Sequence, residues 1–168
     1  PAAGLAVAGR VPFLASYSMF LAGRSWDQIR NTVCYSKCNV KIAACHGGIS
    51  VGKDGPTHQS VEDVSNMRSI TGLVVIVPTD YHQTRKAVRW SAEYDGPVFL
   101  RLGREKVPTL TTETTPFEMG KALVLREGTD GTILANGMMV APALLAAERL
   151  AAEDGLSVRV LNVHTVKP

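Results

Sequence analysis

The sequence predicts an α/β protein: a parallel sheet flanked by helices, followed by the first half of a second α/β unit. Two observations carry that expectation. Short apolar, β-branched runs alternate with stretches of helical periodicity, which is how a parallel sheet with crossover helices reads. The alternation is interrupted once, at 106–118, by the polar, threonine-rich segment KVPTLTTETTPFE, with prolines near both ends. These features divide the chain into a first domain at 1–107, a linker at 108–118 and a second unit at 119–168.

The elements follow in order. Leu5, Ala6 and Val7 lie in an apolar helical pattern at the very start. Strands are expected at Val11–Ala15, Val40–Cys45, Leu73–Val77 and Val98–Leu102. Helices are expected at Met19–Val33, Val61–Ser69 and Tyr81–Glu93. Ser60 with Asp63 three residues on resembles a capping box for the second of these helices. Thr79 or Asp80 can cap the third, whose Arg85 and Arg89 lie one turn apart on a solvated face. The second unit reads as a strand at Thr132–Ala135, a glycine turn, a long helix at Val140–Glu153 and a strand at Val158–Val163.

At 168 residues and 45% hydrophobic content the chain can bury a real core. Its net charge of +3 is mild and the basic residues are scattered, so nucleic-acid binding is not indicated. No apolar run is long enough to cross a bilayer, and the alanine-rich opening lacks the marks of a signal peptide. Three cysteines in an ordinary α/β sequence suggest a reducing, cytoplasmic setting. Cys34, Cys38 and Cys45 with His46 fit no standard zinc spacing and are read as buried or half-buried thiols. The chain opens at Pro1 inside a helical pattern and stops directly after a strand-like run, so it reads as an internal piece of a longer polypeptide.

The chemistry concentrates in HGGISVGKDGPTHQ, residues 46–59. Its glycines allow positive φ and close approach of backbone to a ligand. His46, Asp54 and His58 are residue types that bind hydroxyls and phosphates and move protons near neutral pH. A segment of this composition between a strand and a helix start reads as an active-site loop.

The loop resembles that of transketolases, in which a His and a glycine-rich stretch precede GEDGPTHQ. His46, Gly52, Asp54, Gly55, Pro56, Thr57, His58 and Gln59 match, and Lys53 replaces the usual acidic residue. Residues 13–31, FLASYSMFLAGRSWDQIRN, are similar to the aromatic-bearing helix of the family's pyrimidine-binding domain, and 73–108 to the end of that domain. The likeness is strongest to the separate C-terminal subunit of split, two-gene transketolases.

That resemblance implies a thiamine-diphosphate enzyme of the pentose phosphate pathway that moves a two-carbon ketol unit between sugar phosphates. It implies that Tyr17 and Phe20, three residues apart at a helix start, bind the cofactor's pyrimidine. A third aromatic of many relatives falls on Gly23, so that wall is missing or supplied by Trp26. His58 is implied as the catalytic proton-transfer group. Asp54 is implied as the partner of a sugar hydroxyl, and His46 and Arg104 as phosphate ligands; Arg101 is a weaker candidate. The glutamate that activates the pyrimidine is expected upstream of residue 1. Mg²⁺ is expected on a partner, the diphosphate-binding N-terminal subunit, in an oligomer with sites between chains. The fragment alone is expected to be inert. Two other thiamine enzymes share the expected fold, deoxyxylulose phosphate synthase and the 2-oxoacid dehydrogenase beta subunit. A non-catalytic assembly module with this fold is the reading from a different class.

Overall fold

The computed structural model describes all of residues 1–168. Its first sheet has five strands in the order β1-β2-β4-β3-β8, the last of them Thr165–Lys167. The strands β1 (Phe13–Tyr17), β2 (Lys41–Cys45), β3 (Val74–Ile76) and β4 (Val98–Arg101) run parallel. Val40, Ile42, Val75, Phe99 and Leu100 in and beside these strands are shut off from solvent. Sheets buried on both faces need such continuous apolar runs, and this is why the sequence announced them. All four C-terminal strand ends point the same way, so the segments that follow them gather at one edge.

The helix expected at Met19–Val33 is built of wide π-type turns at Phe20–Arg24 and Ile29–Tyr35, with a single α-turn, α2 (Trp26–Gln28), between them. It buries Leu21, Ala22, Ile29, Val33 and Cys34 against the sheet. Tyr17 is the last residue of β1 and not part of a helix start. A short α1 (Ala2–Val7) packs its alanines against the same core, while Leu5 and Val7 stay exposed.

The helix α3 (Asp63–Ser69) begins two residues later than the apolar pattern suggests. The expected capping box is not formed: no side chain caps α3, and Ser60 Oγ is buried without a partner. Asp63 is recruited by a distant arginine instead. By contrast α4 (Tyr81–Glu93) has the expected bounds, and its cap is Asp80, which accepts from Gln83 N at 3.0 Å. Arg85 on α4 is exposed and pairs with Glu113.

The second sheet has the order β5-β7-β6, with β5 (Leu123–Arg126), β6 (Gly131–Ala135) and β7 (Val158–Asn162), and α5 (Val140–Asp154) packed on one face. Two strands escape sequence reading, β5 and β8 (Thr165–Lys167). Both are short, and both pair antiparallel. Strand β8 leaves the second unit and joins the first sheet beside β3. Next to it His164 is buried, stacked on Phe117 at 4.6 Å, and burial lowers its pKa.

The segment read as a linker is anchored to the start of α4 through Leu110 and Thr111. Asp80 Oδ2 accepts from Leu110 N at 2.8 Å and Thr111 N at 2.6 Å, and Oδ1 from Thr111 Oγ1 at 2.7 Å. The reason is the carboxylate itself, which is buried and must collect donors. Burial alone pushes the Asp80 carboxyl up, but the hydrogen bonds from Gln83, Thr111 and Leu110 outweigh it and hold the pKa below the ordinary value. A depressed folded-state pKa contributes stability above the unfolded value of ~3.9, and that stability is lost as pH falls through the folded value. Asp80→Asn is therefore expected to cost about 1.5–3 kcal/mol at neutral pH. The difference from wild type should shrink below about pH 4. Urea titrations at pH 7 and pH 3 check both statements.

Candidate functional site

Three of the four parallel strands deliver their C-terminal residues to one place. Strand β1 ends at Tyr17, β2 leads into His46, and β4 leads through Arg101 to Arg104. Tyr17 and His46 stack at 4.1 Å between ring centroids and 7° between planes, as adjacent parallel strands in register allow. Phe20, in the first wide turn, lies 5.9 Å from Tyr17 and nearly parallel to it. His58 meets both rings edge-on, at 5.8 Å from Tyr17 and 5.3 Å from Phe20. The Arg24 guanidinium lies 4.6 Å from the centre of the Phe20 ring.

The loop after β2 brings the remaining groups. Asp54 lies in a single tight turn, Gly52–Asp54, and His58 closes the next, Pro56–His58. Gly55 joins the turns at φ 73 and ψ −171, a conformation essentially restricted to glycine. Tyr17 Oη donates to Asp54 Oδ2 at 3.3 Å. The Asp54 carboxylate raises the Tyr17 pKa; burial and the hydrogen bond add to the shift, and Arg104 opposes it. Arg104 packs against the loop, because a Cβ on Gly52 would lie 2.7 Å from its Nη1. It also touches Glu105 at 3.4 Å. Lys53 is exposed.

Two histidine atoms matter for ligand binding. His58 Nδ1 lies 3.0 Å from Thr57 Oγ1. His46 Nδ1 is buried without any partner, and the residue itself holds a left-handed φ of 59. Buried polar atoms are normally satisfied, and non-glycine residues seldom adopt this backbone. An orphaned nitrogen on an imidazole that stacks within an aromatic cluster fits a site that is completed by a hydrogen-bonding ligand.

Every candidate residue, Tyr17, Phe20, His46, Asp54, His58 and Arg104, thus falls in one neighbourhood. Two readings left open by the sequence are decided by the structure. Trp26 does not supply a third aromatic wall: its Nε1 donates to Asn66 O at 3.0 Å and its ring packs on the core. The position of Gly23 is exposed and open. Arg101 is not available for phosphate, because Nε donates to Asp63 Oδ2 at 2.9 Å and the guanidinium is held beneath the loop. The cysteines take other places, with Cys34 and Cys38 buried in the core and Cys45 Sγ donating to Ser16 O at 3.3 Å.

Sequence reading missed the support of the site. Asp63, 1% exposed, also accepts from Ser18 Oγ at 2.6 Å. The backbone at Gly47 lies against this pair, with a Cβ there falling 2.4 Å from Arg101 Nε and 2.8 Å from Asp63 Oδ2. The only signal available in advance was that Asp63 stands near a helix start, which pointed to capping instead.

Stacked aromatics, two histidines and an arginine thus gather at the carboxyl ends of a parallel sheet, the place where α/β folds of this kind hold ligands. Comparison with known proteins gives the family. Residues 1–109 match the transketolase pyrimidine-binding domain and residues 120–168 the transketolase C-terminal domain. The chain belongs to the transketolase family.

Over 99% of its length it is 47% identical to a putative transketolase C-terminal section of Methanocaldococcus jannaschii, of which it covers 53%. It is 48% identical, again over 99%, to the 6-deoxy-6-sulfo-D-fructose transketolase subunit SqwH of a Clostridium species, covering 52% of it. A 1-deoxy-D-xylulose-5-phosphate synthase of Desulforudis audaxviator is 42% identical over 99% of this chain, which covers 26% of that protein. Among solved structures, a split gene transketolase described as an inactive beta4 tetramer superposes with a TM-score of 0.91 at 46% identity, with 99% of this chain and 53% of that one covered. The chain spans about half the length of the split-type relatives it matches. No helix is long and apolar enough to cross a membrane.

The contact at Gly47 generates a test of the support. Gly47→Ala forces a methyl group into the pinned guanidinium and carboxylate and is expected to cost about 1–3 kcal/mol. Chemical denaturation measures it. An unchanged midpoint means that Arg101 moves aside freely.

Proposed function

We propose that this chain is part of a thiamine-diphosphate-dependent transketolase that transfers a two-carbon ketol unit between sugar phosphates in the cytoplasm, within the pentose phosphate pathway. In this reading residues 1–107 act as the pyrimidine-binding domain, 108–118 as a linker and 119–168 as the start of the C-terminal domain. The observation that carries it is the convergence of Tyr17, Phe20, His46 and His58 as one ring cluster, bordered by Asp54 and Arg104. Family membership and the identity to split-type C-terminal sections support it further.

Thiamine diphosphate fits the residues present, since a flat heterocycle matches the aromatic cluster of Tyr17 and Phe20. When bound, it supplies a thiazolium carbon able to add to a ketose carbonyl and act as an electron sink. The protein's own groups do the rest. Phe20 and Tyr17 offer ring faces and exclude water. His58, with Nδ1 engaged by Thr57, carries a proton at its other ring nitrogen, Nε2, to or from the sugar oxygen. Asp54 accepts a hydrogen bond from a sugar hydroxyl and thereby selects stereochemistry. Arg104 and His46 take the phosphate, for which guanidinium provides a fork of donors. Mg²⁺ and the diphosphate are assigned to an N-terminal partner subunit, in an oligomer with sites between chains.

The test is ketol transfer by the full-length subunit mixed with its partner, thiamine diphosphate and Mg²⁺. No transfer from any ketol donor contradicts the proposal. Formation of a deoxyxylulose phosphate from pyruvate would assign the chain to the other thiamine activity among its relatives. Phe20→Ala removes about 0.5–1.5 kcal/mol of stacking beyond lost burial. It is expected to raise the thiamine diphosphate concentration for half-saturation severalfold, with a smaller effect on the saturated rate.

Arg104→Ala should reduce kcat/KM for a phosphorylated ketose roughly ten- to a hundredfold, the loss of one charge-assisted contact. Hydroxypyruvate, which lacks the phosphate, should be scarcely affected. Steady-state kinetics with the matched pair checks this, and equal losses move the phosphate elsewhere.

A further inference from the structure

We infer that Asp63 is a positioning residue, the one carboxylate through which the separate segments of the site are aligned. The inference rests on the proposed function for its kinetic consequence only; the geometry stands by itself. Asp63 is 1% exposed and belongs to none of the groups offered to a ligand. It collects Ser18 Oγ at 2.6 Å and Arg101 Nε at 2.9 Å on Oδ2. Its Oδ1 takes Arg101 Nη2 at 3.4 Å and its neighbour Val64 N at 2.9 Å. Ser18 and Arg101 lie 45 and 38 residues away in sequence.

Each partner adjoins a site residue. Ser18 follows Tyr17. Arg101 ends β4, three residues before Arg104. Gly47, whose backbone lies against both Arg101 Nε and Asp63 Oδ2, follows His46. Gly48, at φ +92, comes so near that a Cβ would stand 3.1 Å from Arg101 Nη2, and its N–H donates to Ser60 O at 2.8 Å. That last bond ties in the segment that carries His58. One buried carboxylate therefore holds the ends of β1 and β4 directly, and the loop after β2 packs on the pair through Gly47 and Gly48. The His46–Tyr17 stack at 4.1 Å reads out their alignment.

A carboxylate suits the task because it accepts from several donors at once and keeps them at charge-assisted distances. Asparagine has the same shape but half the acceptors and no charge, so it cannot hold serine and guanidinium together. Misplacement of catalytic groups by about 1 Å can cost up to about a hundredfold in rate. A purely structural ion pair would lower stability on removal and leave the native geometry of the rings unchanged.

The experiment uses the full-length subunit labelled with ¹³C-histidine, and the His46 resonance is assigned by its disappearance in His46→Gln. In wild type the ring current of Tyr17 is expected to hold that resonance upfield. Asp63→Asn should move it toward the position of an unstacked imidazole while His82 stays in place, and Ser18→Ala should move it the same way by less. In the assembled enzyme Asp63→Asn should lower kcat/KM about tenfold or more. A lower melting temperature with an unmoved His46 resonance in both variants overturns the inference. Ser18→Ala decides the matter if Asp63→Asn does not fold, because it removes one hydrogen bond and leaves the ion pair. If wild type shows no ketol transfer, the resonance comparison still tests the alignment, and only the proposed reaction is lost.

Discussion

The buried pair between Asp63 and Arg101 is the interaction on which the upper edge of this protein depends. Burying a carboxylate that has no partners costs several kcal/mol, and breaking such a pair by removing one member typically costs about 3–5 kcal/mol. Here the cost of burial is offset by a bidentate guanidinium and a serine hydroxyl, all within one layer beneath the loop. Glycine at position 47 is what lets the backbone lie on that layer. Strand register brings Tyr17 and His46 side by side, since β1 and β2 pair directly from Phe13 with Lys41 to Tyr17 with Cys45. The layer beneath holds the segments that continue from those strands.

The two sheets are joined by a second polar layer with the same logic. Asp80 ties α4 to Leu110 and Thr111. Gln83 Oε1 accepts from Thr79 N and from Asn162 Nδ2 on β7, and Thr79 Oγ1 donates to Gly137 O. Met138 of the second unit reaches the glycine-rich loop at Ser50 Oγ, 3.6 Å away. With β8 inserted beside β3, the second unit is not merely appended to the first.

Much of this was legible in the sequence, for reasons that differ by element. The helix Tyr81–Glu93 could be bounded because Asp80 caps it locally and Tyr94 turns extended. The strands were visible as apolar runs, and β1 was misjudged by two residues because Val11 precedes the ladder that begins at Phe13. Strands β5 and β8 are short and lack a buried run, so nothing local distinguishes them from loop. His46, Asp54 and His58 stood out in the loop's own composition. Tyr17, Phe20 and Arg104 were singled out only by the resemblance to the family, because their spacing alone reads as ordinary core or surface. The roles of Ser18, Asp63 and Arg101 were not legible, because they exist only through contacts across 38 and 45 residues. Trp26 was open to two readings until its indole N–H was found on Asn66.

The most direct measurement of the central claim is a double-mutant cycle on stability with Asp63→Asn, Arg101→Gln and the pair. If the two side chains act as one buried unit, the double variant should lose less than the sum of the singles, with a coupling energy of about 1–3 kcal/mol. Additive losses, equal within about 0.5 kcal/mol, would contradict the account and return both residues to independent roles.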